Sequence, residues 1–234
     1  MNKTIVVTGG TKGIGKAIVE KFWTSGFNIV TCARNEDDFY DLKKSLAPSN
    51  NQKILFYKAD VSKKEEVKAF ADFILKNTEN IDILVNNAGF FVPGQIHNEE
   101  EGILESLINT NLYSAYHLTR GLLKNMISAQ KGHIFNLCSV ASITPYANGG
   151  SYCISKYALI GMSKVLREEM KPYNIKVTSV LPGATLTDSW AGTELPVERF
   201  IKAEDVAELI WASFTLSAST VVEEILIRPI LGDL

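Results

Sequence analysis

The chain has 234 residues, 46% of them hydrophobic, which suits one α/β domain with a large core better than two domains. Lysine and arginine (24) nearly balance aspartate and glutamate (26), so no basic footprint for nucleic acid appears. No apolar run reaches the roughly 18 residues of a membrane span, a strand begins as early as Lys3 with no room for a signal peptide, and the cytoplasm is the expected location.

Thr4-Ile5-Val6-Val7 is a β-branched run of the kind a parallel sheet buries on both faces. It enters Thr8-Gly9-Gly10-Thr11-Lys12-Gly13-Ile14-Gly15, and a helix follows with Ile14, Ala17, Ile18 and Phe22 at helical spacing, closing near Ser25-Gly26. Strand, glycine-rich turn and helix in that order make a dinucleotide-binding start. Glycines let a pyrophosphate approach the backbone, and its charge then sits at the positive helix N-terminus. The glycine spacing differs from the GxGxxG fingerprint.

Phe27 to Cys32 is the second strand. NAD-selective folds place an acidic residue about 20 residues beyond the glycines, to bind the ribose 2′-hydroxyl. Here the chain reads Ala33-Arg34-Asn35. A guanidinium suits a 2′-phosphate through bidentate, charge-assisted hydrogen bonds, and Lys12 adds a second cation, which points to NADP(H).

Asn35 is placed to cap a helix running to about Ala47, before a turn at Pro48-Ser49-Asn50-Asn51. Ile54 to Tyr57 form the third strand, ending at Asp60-Val61, and Ser62 with Glu65 reads as a capping box for a helix from Lys63 to Asn77. The fourth strand, Ile81 to Val85, runs into Asn86-Asn87-Ala88-Gly89, either a ligand approach or simply a tight turn. From Glu99 to about Ala129 the pattern is helical, with a break near Thr110 and Asn111. A polar residue in an apolar helical run needs partners or a cavity, so Asn111 is either a satisfied core amide or a site residue. The fifth strand, Gly132 to Cys138, leads to Ser139-Val140-Ala141-Ser142, and a loop from Tyr146 to Gly150 precedes a long helix to about Pro172.

That helix carries Tyr152 and Lys156, whose side chains stand about 40° apart on one face, one turn from each other. A cation beside a phenol favours the phenolate and lowers a pKa that is ordinarily about 10, which suits proton transfer near neutral pH. Tyr40 and Lys44 have the same spacing on an expected surface helix, so context must decide. The second pair follows a strand that ends in a polar cluster. Ser139 stands thirteen residues before Tyr152, whereas Phe27 holds the matching place before Tyr40.

Ile175 to Leu181 is the sixth strand, stopped by Pro182-Gly183. Ala184 to Arg199, with Thr185, Thr187, Trp190 and Pro196, shows no strong period and lies where a substrate lid belongs, at about 184–200. Glu204 to Phe214 reads as a helix and Val221 to Arg228 as a last strand. Without repeats or linkers, residues 1–234 are expected to form one doubly wound α/β domain. Cys32, Cys138 and Cys153 are an odd count at wide spacing; they suit reduced thiols filling core space, with no metal-ligand pattern.

Together these residues resemble the short-chain dehydrogenase/reductase family over nearly the whole chain. Residues 8 to 15 match its TGxxxGxG cofactor turn, Asn86-Asn87-Ala88-Gly89 its NNAG stretch, and Pro182-Gly183 its PG turn; Asn111, Ser139, Tyr152 and Lys156 match its catalytic set. The resemblance implies a seven-stranded parallel Rossmann-type sheet in the order 3-2-1-4-5-6-7 and a homodimer or homotetramer. It implies that Tyr152 exchanges a proton with a substrate oxygen that Ser139 also binds. Lys156 would lower the tyrosine pKa and hold the nicotinamide ribose, and Asn111 would position a water. Gly9, Thr11, Lys12, Gly13, Ile14 and Gly15 would cradle the cofactor, with Arg34 and Asn35 at its 2′-phosphate and Asp60 and Val61 beside the adenine. Asn87, Ala88 and Gly89 would line the cleft, Pro182 and Gly183 would also bind the cofactor, and Thr185 and Thr187 are candidates for the carboxamide and phosphate side.

The segment Pro182 to Trp190 and the tail Thr220 to Pro229 are similar to the bacterial sepiapterin-reductase-like branch. In that case Trp190 would stack on a flat heterocycle such as a pterin; otherwise its ring holds the lid to the body. The expected activity is hydride transfer between NADP(H) and a carbonyl or alcohol, with a pterin side-chain ketone or a diketone as candidate substrate. A non-catalytic NADP(H) sensor, a cofactor-retaining epimerase or dehydratase, and a scaffold with an unused site are the alternatives. The intact Asn, Ser, Tyr and Lys set speaks against the sensor, and the short chain against the epimerase or dehydratase.

Overall fold

A computed structural model describes residues 2–49, 51–190 and 192–234; Asn50 of the expected turn and Ala191 of the segment 184–200 lie outside the described residues. Seven strands form one parallel sheet in the order β3-β2-β1-β4-β5-β6-β7. They are β1 (Thr4–Thr8), β2 (Asn28–Ala33), β3 (Ile54–Lys58), β4 (Ile83–Asn86), β5 (Gly132–Leu137), β6 (Ile175–Pro182) and β7 (Glu224–Ile227). The α-helices are α1 (Gly13–Thr24), α2 (Glu36–Ser45), α3 (Lys64–Asn77), α4 (Ile103–Ile108), α5 (Ser114–Ala129), α6 (Gly150–Met170) and α7 (Ala203–Thr215). The expected fold class and strand order are those observed.

The apolar runs act as anticipated. All five residues of β1 are buried, and they divide between two layers: Ile5 and Val7 join Ile18 and Phe22 of α1 and Val206 and Ile210 of α7, while Val6 joins Phe70 of α3, Leu122 of α5 and Leu166 of α6. This is the period-2 alternation of a strand buried on both faces.

Local readings needed correction in three places. Ser62 and Glu65 make no capping box: Lys63 is the N-cap of α3 and makes no side-chain hydrogen bond there. The Ser62 hydroxyl and backbone N–H both donate to Asp60 Oδ1, at 2.7 and 3.1 Å, and Glu66 rather than Glu65 reaches back, accepting the Asp60 N–H at 2.7 Å. The long helix expected from Glu99 begins as α4 and widens into a π-helical turn, Asn109–Tyr113, before α5. Extra residues in a helical turn of this kind are frequent at functional sites. The last strand starts at Glu224, where its register with β6 begins opposite Ser179, rather than at Val221.

Candidate active site

Because the sheet is parallel, the carboxyl ends of β1, β4, β5 and β6 share one edge, where Thr8, Asn86, Leu137 and Pro182 lie. Gly9 and Gly13 have φ of 64° and 50°, the left-handed region in which glycine carries no steric cost. Strand β2 secures the turn they make: Gly10 N–H donates to Thr31 Oγ1 at 3.1 Å and Gly9 N–H to the Cys32 carbonyl at 3.0 Å. From the other side, Thr8 Oγ1 accepts the N–H groups of Asn87 and Ala88 at 3.0 and 2.9 Å. The Asn87 amide returns bonds to the Thr8 and Gly9 carbonyls at 2.9 and 3.2 Å. Thr11 and Gly15 are buried, and Ile14 packs on the core. Lys12, the N-cap residue of α1, makes no side-chain cap, so that side chain does not take up the first amides of α1, the groups a pyrophosphate would use. The residues present therefore fit a dinucleotide.

Next to that turn, Lys12 Nζ lies 3.1 Å from Asp38 Oδ2 in the first turn of α2. Arg34 and Asn35 are exposed, and the Asn35 carbonyl caps α2 by accepting the Asp37 N–H at 3.0 Å. Burial pushes the Asp60 carboxyl up, but its hydrogen bonds from Ser62 and the charges of Lys63 and Arg34 outweigh this and hold it below the ordinary range. Val61 packs against the core at the end of β3.

The structure brings Asn111, Ser139, Tyr152, Lys156 and Gly89 together. A β-carbon at Gly89 would lie 3.0 Å from Asn111 Oδ1 and 3.6 Å from Lys156 Nζ, so the cleft floor passes directly under both side chains. Asn111 is 1% exposed and its side-chain amide makes three hydrogen bonds. Oδ1 accepts the Phe90 N–H at 3.0 Å, while Nδ2 donates to the Phe90 carbonyl at 3.1 Å and Ser155 Oγ at 3.0 Å. Asn111 is thus a satisfied amide in the π-helical turn, lying beside Gly89.

Ser139 is buried, and its hydroxyl oxygen accepts the Ala141 N–H at 3.1 Å while its own N–H donates to Ser142 Oγ at 3.2 Å. The capping box absent from Ser62 is found here, on the short 3₁₀ turn Val140–Ser142. It leaves the Ser139 hydroxyl proton free to be donated.

Tyr152 is half-buried, and Lys156 is 6% exposed with its ammonium donating to the Leu137 carbonyl at 2.7 Å. The ammonium lies 5.8 Å from the phenol ring centroid. Burial holds the Tyr152 phenol above its ordinary range, with the Ser139 side chain pulling the other way. Lys156 is itself pushed down to about 8 by burial.

Two aromatic neighbours of Tyr152 escaped the sequence reading. Phe91 sets its ring edge-to-face on Tyr152 with centroids 4.9 Å apart, and Tyr146, partly shielded, has its phenol raised by burial and by the nearby Tyr152. Their signal was position alone, just after NNAG and just before α6.

At the end of β6, Pro182 pairs with Ile227 and Gly183 N–H donates to the Ile227 carbonyl at 2.8 Å. Thr185 is buried, donates to the Gly183 carbonyl at 3.1 Å and bridges to Ile201. Thr187 lies over the glycine turn: a β-carbon at Gly13 would come within 3.0 Å of its methyl. Trp190 packs edge-on against Phe200, centroids 5.0 Å apart, a contact between the two ends of this segment. The three cysteines are buried and free, and burial raises Cys138 to about 11 and Cys32 to about 12, as suits packing groups. Among the described residues no helix is long and apolar enough to cross a membrane, and no cluster of His, Cys, Asp or Glu could hold a metal ion.

A sepiapterin reductase of Chlorobaculum tepidum is 30% identical over 100% of this chain and 99% of its own length. An NAD-dependent glycerol dehydrogenase of Listeria innocua is 32% identical over 97% of this chain and 92% of its own length. The crystal structure of a metagenomic short-chain oxidoreductase in complex with NADP superposes with a TM-score of 0.83 at 30% identity, covering 97% of this chain and 96% of that one. The short chain dehydrogenase family matches residues 3–196, so the chain belongs to that family of oxidoreductases, which act on a CH–OH or C=O group.

Proposed function

We propose that this protein is an NADP(H)-dependent carbonyl reductase or alcohol dehydrogenase, with residues 1–234 as one catalytic domain and the segment 184–200 as its substrate lid. The observation that carries the reading is the meeting of Asn111 and Lys156 at Gly89, with Tyr152 one turn from Lys156 and Ser139 beside its phenol, on the sheet edge that also holds the N-terminus of α1. Bound there, the nicotinamide supplies or accepts the hydride. Tyr152 gives its proton to the substrate oxygen in reduction and takes it back in oxidation, and a phenol held protonated by burial is in the right state to donate. Ser139 directs its free hydroxyl proton at the same oxygen, stabilising charge that develops there. Lys156 reaches the ribose from the floor of the cleft, and Asn111 keeps the backbone at Phe90 in place.

Arg34 and Lys12 support NADP(H) over NAD(H), Arg34 as the exposed fork and Lys12 as a cation shared with Asp38. Asn35, Asp60 and Val61 frame the adenine end, while Pro182, Gly183, Thr185 and Thr187 frame the nicotinamide end. A flat substrate is favoured by the aromatic edge of Phe91 with Tyr146 nearby. Together with the sepiapterin reductase relative, this favours a pterin side-chain ketone or a diketone. Exposed Tyr113 just before α5, Tyr116 on α5, and Ile154, Tyr157 and Val165 on α6 support burial against a second copy, as a homodimer or homotetramer in the cytoplasm.

The test is a binding titration with NADPH and NADH, followed by a panel of ketones, diketones and pterins read at the reduced-nicotinamide absorbance band. NADPH should bind about tenfold tighter or more, the worth of one charge-assisted hydrogen bond, and at least one carbonyl should consume it. Binding without net consumption across the panel would point instead to a sensor or a cofactor-retaining enzyme.

A further inference from the structure

The segment between Gly89 and α4 has no regular period, yet it grips the start of α6 repeatedly. Gly94 N–H donates to the Asn148 carbonyl at 3.0 Å, Gly94 bridges Gly149, and Gln95 Nε2 donates to Asn148 Oδ1 at 2.8 Å. A turn at Gln95, whose carbonyl accepts the N–H groups of Asn98 and Glu99 at 2.8 and 2.9 Å, brings Glu99 back onto the helix. Glu99 Oε1 accepts the Ser151 backbone N–H at 2.9 Å, and Oε2 accepts the Ser151 hydroxyl. Space has been left for this carboxylate. A β-carbon at Gly94 would lie 2.6 Å from Glu99 Cγ, and one at Gly150 would collide with Oε1. Helix α6 has no cap of its own, because its N-cap residue is Gly149.

We propose that Glu99 is a positioning residue for Tyr152, an inference that rests on the catalytic role given to that tyrosine above. Its carboxylate supplies, from 52 residues away in the chain, the cap that α6 lacks, and places a negative charge at the positive end of the helix. Tyr152 is the next residue after the capped Ser151, so the cap sets the first turn on which the phenol stands. The same segment places Phe91 against the ring of Tyr152. Residues 91–99 thus fix the phenol twice, through its ring and through its backbone. Misplacement of a proton donor by a fraction of an ångström slows the chemical step without loosening a cofactor held elsewhere.

Glu99→Ala should lower kcat about 10- to 100-fold with whichever carbonyl the wild type reduces, while Kd for NADPH stays within about twofold. Glu99→Gln keeps an oxygen for the Ser151 N–H and should recover most of the turnover. Amide hydrogen exchange at Ser151 and Tyr152 should quicken in Glu99→Ala and slow again in Glu99→Gln. Gly94→Ala, whose methyl takes the place of the Glu99 side chain, should behave like Glu99→Ala. Wild-type kcat in Glu99→Ala, or unchanged exchange at Ser151 and Tyr152, would overturn the proposal. An equal loss of turnover and NADPH affinity would do the same, since that marks general unfolding. If the wild type itself consumes no NADPH, the proposed function fails, and exchange alone judges the cap.

Discussion

In α2, Tyr40 is 55% exposed and Lys44 extends into solvent with its ammonium 3.2 Å from Asp41. In α6, at the same spacing, Tyr152 is half-buried and Lys156 is 6% exposed with its ammonium on the Leu137 carbonyl. Spacing sets only the direction of two side chains. What separates the pairs is the surface each helix packs against. Against β5 and the Gly89 floor, burial raises the phenol and lowers the ammonium, so both protonation states become sensitive to what binds beside them.

The sharpest break of this comparison is the proton itself. Tyr152→Phe should cut turnover about 10²- to 10⁴-fold with NADPH affinity unchanged, while Tyr40→Phe leaves kcat within about twofold. Wild-type turnover in Tyr152→Phe would remove the proton donor from the account. The cations differ next. Lys156→Met should slow turnover and yet raise Tm by about 5 °C near pH 7, because it removes a buried ammonium that has one neutral acceptor. Lys44→Met should move Tm by no more than about 1 °C, as expected for an exposed pair.

The sign of the pH effect follows from the lowered pKa of Lys156. Between about 8 and the ordinary 10.5, the unfolded chain keeps a proton that the folded protein has released, so this group's contribution to stability rises with pH. The Tm advantage of Lys156→Met should therefore shrink across that window, and an advantage independent of pH would count against a buried charge. The smallest effects belong to the cofactor end. Arg34→Asp should lower the NADPH-to-NADH affinity ratio about tenfold or more, and Lys12→Ala only about threefold, because that ammonium is already shared with Asp38. The reverse ranking would mean that the glycine turn, not the end of β2, reads the phosphate.

Much of the fold was open to reading because it rests on local pattern. The β-branched runs of β1 and β6, the glycine turn and the order of Ser139, Tyr152 and Lys156 depend on neighbours in sequence, and all stand where expected. The misreadings share a different cause. Ser62 had two acceptable partners, and Asp60, two residues back, took it from the capping box. Asn111 looked like a helix break, and the chain absorbed it as a π-helical turn because Phe90 and Ser155 satisfy its amide.

From its order of residues alone, this chain determined seven strands, a glycine-rich turn before a helix and one face of a helix that carries a phenol and an ammonium. Tertiary structure decided which charge each of those groups favours and what holds them. It placed Leu137 under Lys156, Phe91 on Tyr152, Glu99 at the start of α6 and Thr187 over Gly13. Periodicity records which side of an element is apolar and no more. Contacts between segments tens of residues apart leave no periodic trace, and desolvation, which sets the pKa of Tyr152 and Lys156, exists only once those segments have met.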